Sequence, residues 1–319
     1  MSDLRLNQRA AEIADRMAAD ASALRVSVSS LARGARFLDC GIAAQGGFEA
    51  GRLLAEVCLG GLGSVSFVPF EHDGLSLPGV AVRAEHPAIA CLGSQYAGWA
   101  IKPEGYFAMG SGPLRAVARV EERLYAHLDY AEAADGPGVL VLETRDVPGP
   151  AVVEWLARKS GVAAERLTIL AAPTASLAAA VQISARVVET ALHKLHELGF
   201  DVRQVVAGQG SAPIAPVAKN DLRALGRTND CVLYGGSVQL TVAADDAELE
   251  ALVPRVPAQA SRDYGAPFYE VFQRYERDFY KVDPLLFSPA RIVLTNARTG
   301  RSFEAGRLDA AILRQSLLG

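Results

Sequence analysis

The chain has 319 residues, half of them hydrophobic and 21% charged, with a formal net charge of -4. That length is two domains or one large one, and that composition excludes a disordered chain. The acidic balance argues against a dedicated nucleic-acid binder, which carries a basic excess.

In chain order, the first helix is predicted over 7–24, where Ile13, Met17, Ala21 and Leu24 recur at the spacing of one buried helical stripe. A short strand over 36–40 follows. A helix over 48–59 is then stopped by Gly60-Gly61. Residues 65–70 and 80–83 read as strands. Pro113 suits a first helical turn, and a helix is predicted over 114–128. The apolar runs 139–142 and 167–171 read as strands, with a helix over 151–160 between them that Gly161 caps. The longest predicted helix runs over 174–198 and stops at Gly199. Further on, 231–234 and 238–242 read as strands around Gly235-Gly236, and 292–297 with 302–305 as a hairpin across Arg298-Thr299-Gly300.

This irregular alternation predicts a mixed α/β (α+β) fold, two-lobed, with helices packed on mixed sheets and a pocket between the lobes. Pro148, Gly149 and Pro150 break the chain, so an approximate boundary is placed there, between an N-terminal domain 1–150 and a C-terminal domain 151–319, with exchange of segments between the lobes left open. The uncharged stretch 167–185 contains Pro173, Thr174, Ser176, Gln182 and Ser184. It reads as a buried strand, a turn and a helix start, and not as a membrane span. Cys40, Cys58, Cys91 and Cys231 lack CxxC spacing, which excludes a disulfide framework or a zinc ribbon. Reduced buried thiols and a start without a secretory apolar core lead to the expectation of a cytoplasmic protein. Its 27 Arg against 5 Lys lean toward a bacterium with a GC-rich genome.

Three places carry candidate chemistry. Gly60-Gly61-Leu62-Gly63 lacks the Lys-Ser/Thr of a phosphate loop, and no GxGxxG opens a helix. Gly110-Ser111-Gly112-Pro113, with Arg115 in the following turn, is either an anion-holding turn or an ordinary helix start. Its echo, Gly210-Ser211-Ala212-Pro213, marks related halves or is chance. The uncharged run Cys91-Leu92-Gly93-Ser94-Gln95-Tyr96-Ala97-Gly98-Trp99 joins an amide, a phenol and an indole. It suits a pocket for a flat heterocycle or a buried turn with core aromatics.

The third place is the helix carrying Arg186 and Glu189. They share a face three residues apart, as a surface ion pair or, in this apolar setting, a buried functional one. Glu189, His193 and His196 also share a stripe. A metal site is conceivable, and so is an ordinary charged helix end. No GxSxG nucleophile elbow is present.

Several of these runs together resemble one family. They are Gly47-Phe48-Glu49-Ala50-Gly51-Arg52, Cys58-Leu59-Gly60-Gly61-Leu62-Gly63, the run from Cys91 to Trp99, Gly110-Ser111-Gly112-Pro113 and Arg186-Val187-Val188-Glu189. To these are added Gly226-Arg227-Thr228-Asn229-Asp230 leading to Tyr234-Gly235-Gly236, then Gly265-Ala266-Pro267-Phe268 and Asp278-Phe279-Tyr280-Lys281. The set resembles methenyltetrahydromethanopterin cyclohydrolase over nearly the whole chain.

The resemblance implies a hydrolase acting on the cyclic amidine C–N bond of 5,10-methenyl-tetrahydromethanopterin, giving the 5-formyl form. The direction is formaldehyde oxidation or, reversed, methanogenesis. It implies Glu189 as the base that activates water and Arg186 as the residue that orients it and keeps it charged. Ser94, Gln95, Tyr96, Ser111, Arg115 and Asn229 are expected near the pterin. No metal and no cofactor are expected beyond the pterin substrate, no membrane or nucleic-acid partner, and a homo-oligomer, a trimer by resemblance. The rival readings are a pterin-binding protein without turnover, a metal-dependent hydrolase using Glu189, His193 and His196, and a cyclohydrolase preferring the folate analogue.

Overall fold

The computed structural model describes residues 4–278 and 281–318. The elements are α1 (Leu6–Ala19), α2 (Ala21–Leu24), β1 (Ser27–Ser30), β2 (Arg36–Asp39), α3 (Phe48–Cys58), β3 (Gly63–His72) and β4 (Leu75–Ala84). After a π-helical segment (Ala88–Gln95) come β5 (Trp99–Ile101), β6 (Ala108–Ser111), α4 (Leu114–Ala118), α5 (Glu122–Leu128), β7 (Gly138–Glu143), α6 (Pro150–Ser160), β8 (Leu167–Ala172) and α7 (Leu177–Ser184). The remainder is α8 (Val187–Glu197), β9 (Val205–Pro213), α9 (Asp221–Gly235), β10 (Ser237–Val242), α10 (Asp246–Leu252), α11 (Phe268–Arg274), β11 (Arg291–Asn296), β12 (Ser302–Gly306) and α12 (Ala310–Leu318). With two mixed sheets and helices on each, the fold is α+β, as the alternation of elements predicts.

Two compact units share the chain. One is Met1–Ser64 with Ile89–Gln182, and the other is Val65–Ala88 with Ile183–Gly319. The first unit holds a sheet in the order β1-β2-β8-β7-β6-β5. Its middle strands β2, β8 and β7 are parallel, and β1, β6 and β5 join antiparallel at the edges. Central parallel strands are covered on both faces, which is why 139–142 and 167–171 are apolar without alternation. Phe37, Leu140, Leu142, Ile169, Val153 and Leu156 are buried in one core, each worth roughly 1.5–3 kcal/mol of apolar transfer. Helix α3 meets α7 at Gly51. A Cβ there would stand 2.5 Å from the Ala178 carbonyl oxygen, so only glycine allows that approach.

The second unit holds the order β12-β11-β10-β9-β4-β3. Here β10 and β11 are parallel, and β9 is antiparallel to both β10 and β4. Val187 and Val188 of α8 rest on β9. Helices α9, α11 and α12 gather around Cys231, Tyr234, Phe268, Phe272 and Leu313. The four cysteines are buried and unlinked to one another. No helix among the described residues is long and apolar enough to cross a membrane, and the stretch 167–185 is β8, a turn and α7.

Several elements differ from their sequence-based expectation. The helix over 174–198 is two helices, because α7 ends at Ser184 and Arg186 becomes the N-cap of α8. No proline or glycine marks that break, so periodicity runs through it. The helix over 114–128 is likewise two, divided where Arg119 turns left-handed at φ 46°. The first helix stops at Ala19, and 21–24 is a separate turn.

The strand expected at 231–234 is the last turn of α9, whose buried stripe runs Ala224, Thr228, Cys231 and Gly235. A four-residue apolar run cannot distinguish a strand from a buried helix end. The break at Pro148, Gly149 and Pro150 lies inside the first unit, with β7 and β8 pairing in parallel on either side of it. Gly110-Ser111 and the echo at 210–213 each end a strand, in different units. In the segment 278–281, Phe279 and Tyr280 lie outside the described residues.

Candidate active site

Helix α8 begins with the pair singled out in the sequence. The Arg186 backbone N–H bonds to Ile183 O at 3.0 Å and its carbonyl accepts from Thr190 N at 2.9 Å, so the residue closes α7 and opens α8. Its guanidinium Nη1 lies 3.7 Å from Glu189 Oε2, and both side chains are buried. Glu189 sits in the first turn, where the positive end of the helix dipole favours a carboxylate. A carboxylate held beside one guanidinium and shielded from bulk water can accept a proton and attract a cation.

His193 and His196 follow on α8, but the His193 imidazole stands 3.7 Å from Glu197. Among the described residues no group of three His, Cys, Asp or Glu side chains is arranged to hold a metal ion. Asn229 belongs to the same unit, on α9, where its amide donates 2.8 Å to Leu225 O one turn back.

Ser94, Gln95, Tyr96, Ser111 and Arg115 lie in the first unit, and there they interlock. The Ser111 hydroxyl donates to Gln95 O at 2.6 Å, and the Gly112 N–H donates to Ser94 O at 2.9 Å. The Ser94 hydroxyl donates to Cys58 O at 2.6 Å. Arg115 is fully buried. Its Nη1 donates to Leu92 O at 3.2 Å and to Ser94 O at 3.4 Å, and its Nη2 pairs with Glu121 at 2.6 Å. The guanidinium also lies 5.1 Å from the centroid of the half-buried Tyr96 ring.

The consequences for these residues differ. Arg115 supports the segment through inward hydrogen bonds and is neutralised by Glu121, so the turn at Gly110-Ser111-Gly112 presents no unpaired cation from it. Helix α4 after that turn has only five residues. Tyr96, backed by a guanidinium, is the member of the run that offers a ring face. Trp99 is core, 5.7 Å centroid to centroid from Trp155. The run from Cys91 is therefore a buried turn with Trp99 in the core and one half-exposed ring, Tyr96, near its end.

Sequence reasoning passed over three features. Glu121 is the partner of Arg115 six residues on, a spacing no motif singles out. Asp39 ends β2 and accepts from four successive backbone N–H groups, Gly41, Ile42, Ala43 and Ala44, at 2.6–2.9 Å. Burial pushes its carboxyl up, but those four donors outweigh it and hold it below the usual range. Asp230 is fully buried within a helix, which only the tertiary packing reveals.

A model of the cyclohydrolase family matches residues 5–317. The chain belongs to that family, which makes it an enzyme of the hydrolase class. It is 47% identical over 315 residues to the methenyltetrahydromethanopterin cyclohydrolase of Methylobacterium organophilum, covering 98% of this chain and 97% of the relative. It is 48% identical over 309 residues to that of Xanthobacter autotrophicus, covering 97% and 91%. Against that of Methanocaldococcus jannaschii it is 43% identical over 318 residues, covering 98% of each.

Proposed function

We propose that the protein hydrolyses 5,10-methenyl-tetrahydromethanopterin to the 5-formyl form, with Glu189 activating water and Arg186 positioning Glu189. The observation that carries the mechanistic part is the buried Arg186–Glu189 pair at the start of α8. The names of the full-length relatives support the substrate.

The methenyl substrate is a cation with its charge spread over N–C–N. Water attacks the bridging carbon while Glu189 takes one of its protons, and a neutral carbinolamine forms. The second water proton passes to the leaving nitrogen as its C–N bond breaks. One formyl group and one released proton result. Arg186 keeps the carboxylate ionised and aimed, and does not itself touch the reacting carbon. The half-exposed Tyr96 ring offers a stacking surface for the pterin, while Ser94, Gln95, Ser111 and Arg115 hold the segment that carries it. Asn229 acts from α9. The reaction needs no metal and no cofactor in this reading, and the working form is a homotrimer in the cytoplasm. Direction follows supply: hydrolysis during formaldehyde oxidation, closure of the ring during carbon dioxide reduction.

The test is loss of the methenyl chromophore on protein dialysed against a chelator, with methanopterin and folate substrates side by side and mass measured by light scattering. Rapid loss with the methanopterin form alone is expected. Turnover only after metal is restored would overturn the metal-free mechanism. A folded protein that binds the pterin and turns over neither substrate would leave a binding protein.

A further inference from the structure

The second unit contains a cleft of about 750 Å³ to which the hydrolytic reading gives no task. Its lining includes three cationic side chains and one acidic one, Glu270. Lys219 lies just before α9, and Arg223 and Arg227 share one face of it four residues apart. Lys219 and Arg227 have no ion-pair or hydrogen-bond partner for their side chains among the described residues. The Arg223 guanidinium is stacked over the Tyr269 ring, 3.9 Å from its centroid, and that ring's hydroxyl accepts from Gln273 at 2.8 Å. Stacking fixes the plane of the guanidinium while its edge N–H groups stay available.

The cleft has a built shape. Gly226 sits against Tyr269, where a Cβ would stand 2.8 Å from the Tyr269 Cβ. That contact brings the start of α11 directly onto α9 and sets the two walls. Glu270 accepts from Gln315 at 3.1 Å, which engages the one carboxylate of the lining. Two positive charges remain in excess. Like charges one helical turn apart repel, and a bound anion relieves that repulsion. A doubly charged group suits three cations lining one cleft better than a single carboxylate does.

We propose that this cleft binds a small molecule through a phosphate or diphosphate group, with Arg223 as a fixed fork and Lys219 and Arg227 as the closing cations. The group can belong to a free phosphorylated metabolite or to an anionic end of the pterin substrate. The site goes beyond the hydrolytic reading, and its test reads binding rather than turnover.

The experiment is calorimetric titration of the full-length protein with inorganic pyrophosphate at low and high ionic strength. It is repeated on Arg227→Gln with Lys219→Gln, with thermal melting as the check on folding. The expected result is binding that weakens with salt and is about tenfold or more weaker in the double variant at unchanged melting temperature. Equal binding by variant and wild type, or none by wild type, would overturn the proposal. So would a change of molecular mass in Arg227→Glu without pyrophosphate binding by wild type, which would mark an interface between copies. A competition arm identifies the source, and both of its results support the site. Displacement of pyrophosphate by tetrahydromethanopterin points to the substrate's own anionic end, and simultaneous binding points to a separate metabolite.

Discussion

Arg186 opens α8 and its guanidinium stands 3.7 Å from the Glu189 carboxylate, both buried, across the first turn of the helix. The pair is local in sequence, and the break between α7 and α8 places it at the start of a helix. Glu189→Gln keeps the shape and removes the proton acceptor. Its kcat is expected to fall by about 10²–10⁴-fold, the usual worth of a general base, with secondary structure unchanged by circular dichroism. Activity near wild type would remove Glu189 from the mechanism.

Arg186→Gln tests the positioning role separately. Without the neighbouring positive charge, the carboxylate holds a proton to higher pH. The acidic limb of the rate profile is therefore expected to move toward higher pH, together with lower activity. Reduced activity with an unmoved limb would mean that Arg186 only braces the helix start.

Much of this is legible in the amino-acid sequence, for identifiable physical reasons. Apolar runs of strand length gave β7 and β8, and Gly161 marked the end of α6. The Arg186–Glu189 spacing was visible because charge is absent for a long stretch before it. The break at Ala185 was not visible, since it is imposed by packing and uses residues that are at home in helices. The points at which the chain passes from one unit to the other are hidden for a related reason: each unit takes two separated stretches of chain, and pattern reading follows only neighbours. Arg115 was expected to face a ligand because its partners, the carbonyls of Leu92 and Ser94 and the Glu121 carboxylate, are not written in any local spacing.

Arg115→Met tests that inward role. The substitution keeps volume but deletes hydrogen bonds to two carbonyls and leaves Glu121 without its partner. A loss of about 2–4 kcal/mol in urea unfolding is expected, since buried groups lose their compensation. The turn that positions Tyr96 loosens with it, so KM for the pterin rises more than kcat falls. Unaltered stability with impaired anion binding would instead place the guanidinium in contact with substrate.

Asp230 gives the last test, and its sign follows from burial. The carboxyl is buried, which pushes it up to about 7, and Glu270 adds to the rise. Hydrogen bonds from Ser316 at 2.5 Å and from the Phe268 N–H at 2.8 Å oppose the rise but do not cancel it. Between about pH 4 and pH 7 the folded protein therefore keeps a proton that the unfolded chain has released, and stability falls as pH rises through that window. Asparagine at this position still accepts from Phe268 and can donate to Ser316 without carrying charge. Asp230→Asn is thus expected to match wild type near pH 4.5 and to exceed it near pH 8 by on the order of 3 kcal/mol. Urea unfolding at the two pH values measures the difference directly. A constant difference between the two proteins across the window would mean that Asp230 is ionised throughout and that its two hydrogen bonds outweigh the cost of burying its charge.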